Sequence, residues 1–133
     1  VSWSKFSETK QAVLIGFSGG DMNVKNITFH HNYFYRICGR QPNVRGANVH
    51  LFNNYNQDWW GCGHENYGGE GIVASQNAQL FIENNIFERS IGTSCIITAQ
   101  KHNQGDSVTG YAKSESNWFL NGAQGCGPGF NTG

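Results

Sequence analysis

Six residues of one short segment, GRQPNVRGANVHLFNN (39–54), could do chemistry or direct it: Arg40, Pro42, Arg45, His50, Asn53 and Asn54. Two arginines flank a proline in a chain of which only 14% is charged. Pro42 cannot donate a backbone hydrogen bond and suits the end of a strand. There it would turn the chain and let Arg40 and Arg45 project from one side into one groove. Two cations in one groove suit an anionic ligand, because a planar guanidinium binds carboxylates bidentately. The alternative is a pair of solvated turn arginines, the ordinary fate of this residue.

The elements that must hold these residues are read from the rest of the chain. Its 133 residues have the size of one small domain or of part of a larger one, and 1–133 is read as a single domain. Nine basic and nine acidic residues balance, which argues against a nucleic-acid partner. No apolar run is long enough to span a membrane, and a monomer is expected. Eighteen glycines, many asparagines and two prolines fit a turn-rich, all-β chain. The opening VSWSKFS has the pattern of a strand already under way, so the chain is expected to be the internal or C-terminal part of a longer protein.

A repeat runs through the asparagines. ITFHHNYF (27–34), VHLFNNYN (49–56), LFIENNIF (80–87) and AKSESNWF (112–119) align on Asn32, Asn54, Asn85 and Asn117, in steps of 22, 31 and 32 residues. VSWSKF is a weaker fifth copy with Ser4 in the asparagine place. Each copy alternates apolar and polar residues as a half-buried strand does. Short strands with one recurrent asparagine predict a right-handed parallel β-helix, a solenoid, here a fragment of a longer one. An inward asparagine at each bend would bond to its equivalents on neighbouring rungs and satisfy buried turn backbone. An antiparallel sandwich with turn asparagines is the alternative.

At residues 26–55, NITFHHNYFYRICGRQPNVRGANVHLFNNY, the chain closely resembles the core signature of the family 1 polysaccharide lyases, the extracellular pectate lyases. The matching pieces are the strand with His30, His31 and Asn32, then Arg40, Pro42, Arg45, Gly46, His50 and the pair Asn53–Asn54. Here Arg45 is followed directly by Gly46, where many members carry one residue between. The resemblance implies a secreted enzyme that cleaves α-1,4-polygalacturonate (pectate) by β-elimination to 4,5-unsaturated oligogalacturonides. It implies Arg40 as the base that removes the C5 proton and Arg45 as a clamp on the uronate carboxylate. Lys10 is the candidate second substrate cation, one place from Gln11, where the family's lysine falls. A one-residue slip on a strand would turn that side chain to the opposite face. The resemblance also implies Ca²⁺, which would withdraw charge from the uronate and stabilise the enolate-like transition state. The resemblance implies ligands that are mostly carboxylates of coils upstream of residue 1; Asp21, Asp58, Glu65 and Glu70 form no calcium-loop pattern. The competing readings are a pectin lyase acting on methyl-esterified polymer and a non-catalytic or truncated carbohydrate-binding β-helix.

Other residues carry weaker expectations. His30 and His31 are adjacent, hence on opposite faces of a strand. With His50 they are expected to be core or ladder histidines. Trp59 and Trp60 either stack on sugar rings or pack within their loop. The four cysteines, Cys38, Cys62, Cys95 and Cys126, include no CxxC pair and give zinc little support. Cys62–Cys126 is the favoured disulfide, since both lie in GCG loops, and free buried thiols are the alternative. Asn26-Ile27-Thr28 is a formal glycosylation sequon.

Overall fold

Short alternating segments separated by polar turns give short strands, and stacked copies of one segment give parallel sheets. In a computed structural model, residues 1–16, 26–59, 71–88, 95–101, 106–121 and 125–132 are described. The chain first forms β1 (Lys5–Ser7) and β2 (Leu14–Ile15). A second coil gives β3 (Ile27–His30), β4 (Tyr33–Tyr35) and β5 (Asn43–Arg45), and a third gives β6 (Asn48–Phe52), β7 (Tyr55–Gln57) and β8 (Ile72–Ser75). A fourth gives β9 (Gln79–Glu83), β10 (Ile86–Glu88) and β11 (Ile97–Ala99). The fifth gives β12 (Tyr111–Glu115), β13 (Trp118–Leu120) and β14 (Gly125–Cys126), and β15 (Phe130–Asn131) follows.

Every third strand pairs with the next. The three sheets run β1-β4-β7-β10-β13, β2-β5-β8-β11-β14 and β3-β6-β9-β12-β15, and every strand pair in them is parallel. This is the right-handed parallel β-helix expected from the repeat, with the handedness that parallel crossovers almost always take. Each sheet turns one side chain in and the next out. On β6, Val49 and Leu51 are buried while Asn48, His50 and Phe52 face outward. The inward residues form one core that includes Phe29, Phe34, Val44, Trp59, Ile82 and Phe87.

The asparagine ladder lies where the first and second strands of each coil meet. The Asn54 Oδ1 accepts both the backbone N–H and the side-chain amide of Asn32, each at 3.0 Å. The Asn85 Oδ1 does the same for Asn54, at 2.9 Å each, and the Asn117 Oδ1 for Asn85, at 2.8 and 3.0 Å. The Asn54 amide also donates backward to the Phe29 carbonyl at 3.0 Å, so one side chain ties three successive coils. Ser4, the fifth copy, donates its backbone N–H to the Asn32 Oδ1 at 3.1 Å. The residue before each ladder position is left-handed: Trp3, His31, Asn53, Asn84 and Ser116 have φ between 52° and 55°. That bend ends one strand and starts the next, so each repeat copy is two strands joined at the asparagine.

Two expectations need correction. Cys126 pairs with Cys95, not with Cys62, across a Cα separation of 5.7 Å. The reason is register: β11 pairs with β14, which brings the start of one beside the other. Cys38 is also disulfide-bonded, and Cys62 lies outside the described residues. The two histidines do not point to opposite faces. His31 has left the strand for the left-handed bend, and its Nδ1 lies 3.0 Å from the Nδ1 of His30.

Replacing Asn54 by alanine leaves the backbone N–H of Asn32 and the Phe29 carbonyl without their ladder partner. Urea unfolding should show a loss of about 1–3 kcal/mol, the cost of stranding buried polar groups. A change within error would argue that the ladder bears no load.

Candidate active site

Arg40 lies on the turn that enters β5, and Arg45 is the last residue of that strand. Arg40 takes left-handed backbone, φ 61°, and is partly buried. Its carbonyl accepts the N–H of Val13 at 2.8 Å, and the Gly39 carbonyl accepts that of Ala12 at 3.2 Å. Gln11 forms a parallel bridge with Gly39. The segment that carries Lys10 therefore runs along the preceding coil beside the Arg40 turn, with Lys10 exposed. Pro42 immediately precedes β5, as its missing N–H favours, and its carbonyl accepts the N–H of Val73 at 3.0 Å.

The two arginines have different surroundings. The Arg45 guanidinium, only a tenth exposed, pairs through Nη2 with the wholly buried carboxylate of Asp106. Asp106 is brought there by the neighbouring turn. The Gln76 Oε1 accepts the N–H groups of Ser107 and Val108, each at 3.2 Å, which fastens that segment beside β8. Gly16 crosses the backbone of Arg45 so closely that a Cβ there would lie 2.3 Å from the Arg45 carbonyl oxygen. Arg40, in contrast, makes no ion pair among the described residues.

The other candidates lie elsewhere. His30, His31 and His50 stack across coils on the outer side: His30 on Phe52, His50 on Phe81 and His31 on Trp3, with centroids 5.1, 5.2 and 4.5 Å apart. His30 and His50 are outward residues of the sheet that contains β3 and β6, and His31 sits at the bend after β3, whereas Arg45 belongs to the sheet that contains β5. His50 Nε2 also meets Glu83 at 2.9 Å. Trp59 is fully buried, which settles it as packing and not as a sugar platform; Trp60 lies outside the described residues. Asp58 sits at a second recurrent bend, with its carboxylate 3.8 Å from Arg36, which also pairs with Glu8 at 3.2 Å. Asp21, Glu65 and Glu70 lie outside the described residues, and among the described residues no three potential ligands cluster to hold a metal. The described residues therefore do not fit a calcium site.

One constellation was missed from sequence. Gln41, between Arg40 and Pro42, is fully buried; its Nε2 donates to the Ile37 carbonyl at 2.9 Å, and its Oε1 accepts the Asn56 amide at 3.0 Å. The signal was present: two places after the ladder asparagine the other copies carry Phe34, Phe87 and Phe119, and this one carries Asn56.

With this geometry in view, the sequence comparisons are direct. The family model described as Pectate lyase matches residues 1–124. The chain belongs to the pectate lyase family. Among its relatives, pectate lyase C of Dickeya chrysanthemi is 38% identical over 91 residues, 68% of this chain and 22% of that protein. Pectate trisaccharide-lyase of Bacillus licheniformis is 33% identical over 89 residues, 67% of this chain and 24% of that protein. Pectate lyase B of Colletotrichum gloeosporioides is 34% identical over 70 residues, 53% of this chain and 19% of that protein. The chain thus spans about a quarter or less of the length of these relatives.

Asp106→Ala removes one member of a buried pair and takes from the Arg45 guanidinium its carboxylate partner. The expected loss is about 3–5 kcal/mol, measured as a fall in the urea midpoint at neutral pH. Asp106→Asn, which keeps an acceptor oxygen, should lose less.

Proposed function

We propose that the protein to which this chain belongs is a pectate lyase, cleaving polygalacturonate by β-elimination. The observation that carries the reading is the pairing of family membership over residues 1–124 with a left-handed Arg40, held on a locked turn and making no ion pair among the described residues. Arg40, acting as the neutral guanidine, takes the C5 proton of the uronate and becomes guanidinium. The electron pair left on C5 forms the C4–C5 double bond, and the bond from C4 to the glycosidic oxygen breaks. The leaving sugar departs with that oxygen and takes up a proton, and the other product is a 4,5-unsaturated uronide.

Arg45 holds the uronate carboxylate. Its guanidinium is a planar fork of donors, and the pair with Asp106 fixes the plane of that fork. Lys10, on the adjoining coil, supplies a further cation at the substrate. The Ca²⁺ expected for this family is proposed to be bound by carboxylates outside the described residues, upstream of residue 1. A secreted, extracellular location and a single β-helix domain over 1–133 belong to the same reading. No helix of the described residues is long and apolar enough to cross a membrane.

In the full-length protein, Arg40→Lys should abolish release of unsaturated uronide, followed by its ultraviolet absorbance, while polygalacturonate binding stays near wild type. Lysine keeps the charge but loses the planar fork and its reach. Near-normal turnover in this variant would remove Arg40 from the base role. Arg45→Ala, made together with Asp106→Asn so that no buried carboxylate is stranded, should chiefly weaken binding.

Chelation separates the competing enzymes. A pectate lyase should lose uronide release in excess chelator and regain it with added Ca²⁺. Release from methyl-esterified polymer that ignores chelator would identify a pectin lyase. Binding without any release would leave a carbohydrate-binding β-helix.

A further inference from the structure

The inward column of the sheet formed by β1, β4, β7, β10 and β13 reads Phe6, Phe34, Asn56, Phe87, Phe119. Phe6 stacks on Phe34 with centroids 4.8 Å apart, and Phe87 stacks on Phe119 at 5.2 Å. Asn56 stands between the two pairs and is 1% exposed. A phenylalanine there would continue one stack through five coils. A buried carboxamide forfeits that apolar contact and must be hydrogen-bonded to be tolerated at all.

Its partner explains the exchange. The Asn56 Nδ2 donates to Gln41 Oε1, and Gln41 Nε2 donates to the carbonyls of Ile37 and Trp59, at 2.9 and 3.4 Å. The backbone N–H of Gln41 donates to the Gly71 carbonyl at 2.8 Å. Gln41 is thereby fixed through both its backbone and its side chain, and Arg40 is the next residue. On the lyase reading given above, we propose that Asn56 and Gln41 form a buried amide strut that sets the position of Arg40, so that Asn56 is a positioning residue of the elimination. It touches no substrate and acts through the turn.

The test reads turnover apart from stability, because an apolar side chain gains the stack while it strands Gln41 Oε1. In the full-length protein, Asn56→Phe completes the stack, and Asn56→Leu offers a smaller apolar filling. Either variant, once folded with a melting temperature at or above wild type, should lose at least about tenfold in kcat with little change in KM, because small misplacement of a catalytic group is costly. A residue that served packing alone would not separate kcat from stability in this way. Wild-type kcat in a folded variant overturns the strut. Failure of both variants to fold also overturns it, because the amide would then hold the coil and not the turn. Wild-type protein is assayed alongside: absence of uronide release there defeats the lyase reading itself, whereas wild-type release with unaltered variants defeats the strut alone.

Discussion

The asparagine ladder is the interaction on which everything else in this chain depends. A solenoid coil must bend sharply between strands, and each bend buries backbone groups that no sheet can pair. Here one carboxamide per coil meets that need in both directions. Its oxygen takes two donors from the preceding asparagine, and its amide reaches carbonyls of neighbouring coils. The left-handed residue before it fixes the bend angle, at nearly the same φ five times over. Because the ladder aligns the bends, the strands that leave them are in register. The ends of those strands, where the arginines lie, therefore have fixed places.

That register brings together residues far apart in the chain. Arg45 meets Asp106 across 61 positions because the turns after β5, β8 and β11 stack in succession. Gln76 binds the segment that delivers the carboxylate, and Ser75 bridges to Thr109 beside it. The same stacking makes a chain of charge at the second bend, Glu8 to Arg36 to Asp58. Among the described residues, Arg36 and Arg45 are thus spent in ion pairs, and Arg40 makes none.

The fold was legible because its signal is periodic. Asn32, Asn54, Asn85 and Asn117 keep the same flanking pattern, and parallel pairing follows from stacking equal segments. The bend position was legible too, but its conformation was not: Asn53, Asn84 and His31 are types enriched in left-handed backbone, whereas Trp3 and Ser116, which are not, adopt it at the equivalent place. That is why His31 was misjudged as part of a strand. The disulfide was misread because loop resemblance between two GCG triplets says nothing of which coils are adjacent; the pairing of β11 with β14 does. Arg40 and Arg45 were named as candidates from a family resemblance, and Lys10 as one a place away from the family's lysine, while Asp106 lies in no motif and becomes a partner of Arg45 only once the coils are stacked.

Asn56 shows where the repeat departs from its own rule. Its position is inward in every coil, so hydrophobic burial favours an aromatic there, and three of the other copies follow that rule with Phe34, Phe87 and Phe119. A departure from such a rule costs stability, since a polar group leaves water for the core. The cost is offset because Asn56, on the third coil, donates its amide to Gln41 on the turn of the second. The coil that breaks the stack is thus the one bound to the turn bearing Arg40. A solenoid built from equal segments has few ways to make one turn differ from its neighbours. Substituting an inward aromatic by a hydrogen-bonding side chain is one of them, because it anchors the turn from within the core and not from its outer surface.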